Sequence, residues 1–73
     1  MKKIYCVGRD CDDDYYAFHD LRNAVNFLAS QYDDMDDEEK ESFIENLIED
    51  FTLYDVTNRI CRGGDIFVVK FKD

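Results

Sequence analysis

The chain has 73 residues, with 18 acidic and 9 basic side chains, a net charge of −9 at neutral pH, 45% apolar and 15% aromatic residues. A chain of that length holds one domain, spanning residues 1–73, and buries only ~60% of the surface its unfolded form exposes, which excludes multi-step enzyme architectures. Its apolar and aromatic content excludes a disordered acidic tail, because six Phe and five Tyr with the aliphatic residues can offset chain entropy. The longest apolar run among the first thirty residues, Ile4 to Val7, is far shorter than a signal-peptide core or a membrane span, so a cytoplasmic protein is expected. Cys6, Cys11 and Cys61 are an odd set without a secretory signal and read as reduced thiols. A surface this acidic disfavours direct contact with nucleic acid or anionic membranes and favours basic proteins.

In chain order, Lys2 to Gly8 alternates Ile4 and Cys6 with Lys3, Tyr5 and Val7, the period of a strand that meets a turn at Gly8. An Asp-rich link, Arg9 to Asp14, follows. Leu21, Ala24, Val25, Leu28 and Tyr32 then recur at helical spacing, with Asp20 as N-cap. A second helix starts at Asp36, where Glu39 stands three residues after the capping Asp and acids fill the first turn. Phe43, Ile44, Leu47, Ile48 and Phe51 form its apolar stripe. The C-terminal segment reads as a hairpin turning at Gly63-Gly64, with Arg62 opposite Asp65 and Ile60 opposite Phe67. That register collects Tyr54, Val56, Ile60, Phe67, Val69 and Phe71 on the core side and leaves Cys61, Ile66 and Val68 on the other. The expected fold is α+β, a single βααββ domain whose two helices pack on one face of a three-stranded sheet. The last strand is expected in the centre with the first strand parallel to it, an all-antiparallel order being the alternative.

No complete site for catalysis, cofactor or metal can be read. Asp10, Asp12 and Asp14 open like a calcium loop, but Tyr15 stands where the sharp turn needs Gly and Leu21 where a bidentate Glu is required. Cys6, Cys11, His19 and Cys61 lack zinc-site spacing. Cys11 and His19 are the available nucleophile and base, and the carboxylates around Cys11 disfavour the thiolate a nucleophile needs, so the chain is not expected to be an enzyme.

Charge placement is the informative feature. Residues 33–50 hold ten acids and one lysine, and residues 10–14 hold four more acids. Glu38, Glu41, Glu45 and Glu49 fall at i, i+3, i+7 and i+11, one stripe opposite the apolar face of the second helix. Like charges at this spacing cost an isolated helix ~0.2–0.5 kcal/mol per pair, so helix formation gives no reason to choose them. Such a stripe either keeps a small protein soluble or faces a strongly basic groove.

In size, charge and absence of catalytic motifs the chain resembles the small acidic inhibitor proteins of phages and mobile elements, including anti-CRISPR and anti-restriction DNA mimics. The resemblance is one of composition. It implies a class of partner, a basic nucleic-acid-binding enzyme such as a CRISPR effector or another nuclease. The stripe at Glu38, Glu41, Glu45 and Glu49 is the expected contact surface. Asp12, Asp13 and Asp14 with the aromatic anchors Tyr15 and Tyr16 are the second candidate patch. The alternative is a structural or adaptor protein, or an antitoxin or immunity protein, acting by protein–protein contact as a monomer or small homo-oligomer.

Overall fold

Both amphipathic stretches are helices. In the computed structural model, which describes residues 2–9, 14–61 and 63–71, α1 (Leu21–Ser30) starts at Asp20, whose carboxylate accepts from the Asn23 N–H at 3.3 Å. α2 (Asp37–Leu53) starts at Asp36, whose carboxylate accepts from the Glu39 N–H at 2.8 Å. Each cap satisfies an amide that has no partner within its own helix. α1 buries Ala24, Val25, Leu28 and Ala29, and Tyr32 beyond its end joins the core. α2 buries Leu47 and Phe51, with Phe43, Ile44 and Ile48 packed around them.

Among the described residues the sheet has four strands, one more than the sequence pattern predicts. β1 (Lys2–Arg9), β2 (Tyr16–Phe18), β3 (Asn58–Cys61) and β4 (Gly64–Phe71) lie in the order β2-β1-β4-β3, every neighbouring pair antiparallel. The architecture is α+β in the order ββααββ, not βααββ, and it corrects the expected parallel pairing of the first and last strands. β2 supplies the reason: it turns the chain back once before the helix pair, so β4 arrives opposite to β1 instead of alongside it. β4 is central, flanked by β1 and β3.

The hairpin also differs from the expected one in register and in face. Cys61 pairs with Gly64 and Ile60 with Asp65, Gly63 adopts φ 80°, and each pair is shifted by two from the expected partners. Gly suits a positive φ because it has no Cβ to clash. Ile66 is fully buried and Val68 packs against the core, whereas Ile60 and Val69 are exposed. The side of β4 expected to face outward therefore faces the helices. The physical cause lies at residues 54–57: the strand begins at Asn58, so alternation counted back through Tyr54 and Val56 loses its parity in the bend. On β1, Tyr5 and Val7 share the inner side with Ile66 and Val68, while Ile4 and Cys6 turn outward.

The helix layer is tied to the inner side by aromatic and polar contacts. The Tyr5 and Phe51 rings meet edge to face at 6.2 Å, and Phe27 stacks obliquely on Tyr16 and Phe18. Arg9 donates to the Gln31 carbonyl at 2.8 Å and lies 4.9 Å from the Tyr32 ring centroid, placing a cation at the C-terminal end of α1. That position is favoured by the helix dipole and by the aromatic face. No helix is long and apolar enough to cross a membrane among the described residues.

Candidate acidic interface

The apolar stripe of α2 turns toward α1 and the sheet, and this fixes where its carboxylates go. Glu38, Glu41, Glu45 and Glu49 are all exposed on the remaining surface of the helix. Glu45 has a cation near it: Arg22 Nη1 on α1 lies 3.5 Å from its Oε1, both side chains more than half exposed. At the end of the helix nearer the sheet, Asp50 meets Arg59 of β3 at 3.3 Å. Coulomb attraction between groups as exposed as Arg22 and Glu45 is weak, so that pair orients side chains more than it stabilises the fold, whereas Asp50 is only 26% exposed.

Near the start of α2, Glu38, Glu39 and Glu41 border a shallow open depression that also includes Met35, Ser42, Phe43 and Asn46. Met35 is buried and the Phe43 ring meets Tyr32 edge to face at 5.6 Å, so the depression has a packed apolar floor under an acidic rim. A floor of this kind accepts the methylene stem of Lys or Arg while the rim meets its charged head.

The second candidate patch is divided by the sheet. Asp12 and Asp13 lie outside the described residues, as do Asp10 and Cys11. Asp14 and Tyr16 are exposed and line a concavity of about 210 Å³ with Val7, Gly8, Arg9, Phe27 and Gln31 on the helix side. Tyr15 sits on the other side, its ring packed edge to face on Phe67 at 5.1 Å and 48% exposed. Gly8 makes room for it, since a Cβ there would stand 2.5 Å from Tyr15 Cε1. Tyr15 and the α2 carboxylates thus look out from opposite layers of the molecule.

Sequence reasoning missed the Arg22–Glu45 pair and the apolar floor at Met35. The first joins two helices whose mutual rotation no single-helix pattern supplies, and the second precedes the N-cap, outside the periodic stripe. Among the described residues, no group of three or more His, Cys, Asp or Glu side chains converges as a metal site would need. Comparison with protein-family models, with curated proteins and with solved structures found no match.

Proposed function

We propose that the protein is an acidic inhibitor that occupies the nucleic-acid-binding surface of a basic partner enzyme, using the α2 carboxylates in place of phosphates. The observation that carries this reading is the exposed run of Glu38, Glu41, Glu45 and Glu49 along one side of a helix whose opposite side is committed to the core. An i,i+4 step advances ~6 Å along the axis, close to the spacing of successive phosphates on a nucleic-acid strand, so one groove of Lys and Arg can engage several of these carboxylates together. The acidic rim at Glu38 and Glu41 over Met35 and Phe43 adds a place to anchor one long basic side chain. Asp14 and Tyr16 form the secondary part of the site, and Tyr15 belongs to a different surface.

The reading is tested by competition. With a captured basic partner, the protein should displace bound duplex or single-stranded nucleic acid with one-to-one stoichiometry, and the displacement should weaken steeply with added salt. Binding that leaves the partner's nucleic acid in place would refute the mimic.

A further inference from the structure

Among the described residues, no helix covers the outward side of the sheet. Alternation and cross-strand pairing put Lys2, Ile4, Cys6 and Gly8 of β1, Asp65, Phe67 and Val69 of β4, and Asn58 and Ile60 of β3 on this side, with Tyr15 laid over Gly8. Ile60 is 66% and Val69 is 41% exposed. In a chain of net charge −9 this is an apolar surface with one base at one end, Lys2, and one acid at the other, Asp65, among the described residues.

We propose that this face is the interface of a reversible homodimer, two copies stacking sheet on sheet about a two-fold axis that crosses the strands. Charge selects both the occupant and the axis. The α2 stripe lies beyond the helix layer, so stacking the bare sheets separates the two stripes by several Debye lengths of about 8 Å each, whereas any approach through the helices would appose them. A two-fold axis across the strands reverses one sheet over the other and brings Lys2 of each copy to the Asp65 end of the second copy. An axis along the strands would instead stack Lys2 on Lys2 and Asp65 on Asp65. The same reversal lays the protruding Tyr15 ring over the Ile4 and Val69 end of the second copy, as an isologous interface requires.

Strands of this length and number offer a face of roughly 400–500 Å² per copy, so a pair buries about 800–1,000 Å², below the ~1,200–2,000 Å² of stable interfaces and in the range of weak, transient ones. The dimer is therefore weak, with dissociation in the micromolar range or above, and it leaves both acidic helices facing outward.

Sedimentation equilibrium across a wide concentration range at physiological salt tests this. A reversible dimer is expected, and Val69→Lys and Ile60→Lys should each weaken it at least ~10-fold with unchanged circular dichroism. Val69 lies on the central strand and Ile60 on the exposed edge strand, so a folding defect in the first would leave the second as the test. Lys2→Glu alone should weaken the dimer, and Lys2→Glu combined with Asp65→Lys should restore it. A monomer at every concentration, a dimer indifferent to the folded Lys variants, or a failure of the charge swap to restore association would overturn the proposal.

Discussion

Arg22 on α1 and Glu45 on α2 approach to 3.5 Å and give the middle of the acidic stripe a cation from its own fold. Charge relief alone would make Glu45→Gln stabilising, since Glu41 and Glu49 stand one turn away on either side. The Arg22 contact opposes that gain. An exposed pair contributes ~0.2–1 kcal/mol and each i,i+4 repulsion costs ~0.2–0.5 kcal/mol, so the two effects nearly cancel. Glu45→Gln should leave the melting temperature almost unchanged, while Glu41→Gln, flanked by Asp37 and Glu45 and forming no ion pair among the described residues, should raise it slightly. Thermal melts of the two variants at low salt would separate these cases, and a clear loss in Glu41→Gln would contradict the account.

Gly8 and Tyr15 form a second coupled pair. Adding a methyl group at residue 8 displaces the Tyr15 ring and breaks its edge contact with Phe67. Gly8→Ala should therefore destabilise by about 0.5–1.5 kcal/mol, the scale of an aromatic pair. In a Tyr15→Ala background the same change should cost nothing, because Ala suits a strand better than Gly. Additive effects across that cycle would mean that the ring does not occupy the space above Gly8.

The hairpin offers a direct comparison of its two faces. Ile66 is fully buried against Val7 and the helices, and Ile60, on the neighbouring strand, is 66% exposed. Ile66→Ala should cost ~2–5 kcal/mol, enough to unfold much of a domain this small. Ile60→Ala should stay within about 0.5 kcal/mol in denaturant titrations at dilute concentration. The reverse ranking would restore the register in which Ile60 faces the core.

Asp55 follows the C-cap of α2 with φ 49°, a left-handed conformation that glycine adopts without a steric penalty. Its side chain touches Lys70 only at 3.9 Å, largely in solvent. Asp55→Gly should stabilise the protein by a few tenths to about 1 kcal/mol in chemical denaturation, and Asp55→Val should destabilise it by more than that.

The helices were legible in the sequence because their signals agree: Asp20 and Asp36 cap, and Leu21 to Leu28 and Phe43 to Phe51 repeat at a single helical period. The sheet was only half legible. Tyr16, Ala17 and Phe18 make a strand of three residues, too short for alternation to mark, and missing it reversed the expected direction of β4 relative to β1. Ile66-Phe67-Val68-Val69 is apolar on both sides, so period two cannot choose a face, and Gly63-Gly64 admits two turns. The stripe at Glu38, Glu41, Glu45 and Glu49 follows from helical geometry once the apolar face is known. The separation of Tyr15 from that stripe does not, because it depends on which side of the sheet the helices cover.

The central claim is that the α2 carboxylates recognise a basic nucleic-acid-binding partner, and the most direct test is a capture experiment with a folded, charge-reversed variant. Glu41→Lys, Glu45→Lys and Glu49→Lys together replace attraction by repulsion while Phe43, Ile44, Leu47 and Ile48 keep their packing. Wild type and a Lys70→Ala, Lys72→Ala control should retain the same nucleic-acid-binding proteins from lysate, released by added DNA and by salt. The triple variant, with unchanged circular dichroism, should retain none of them. Recovery of the same proteins by the triple variant would contradict the claim.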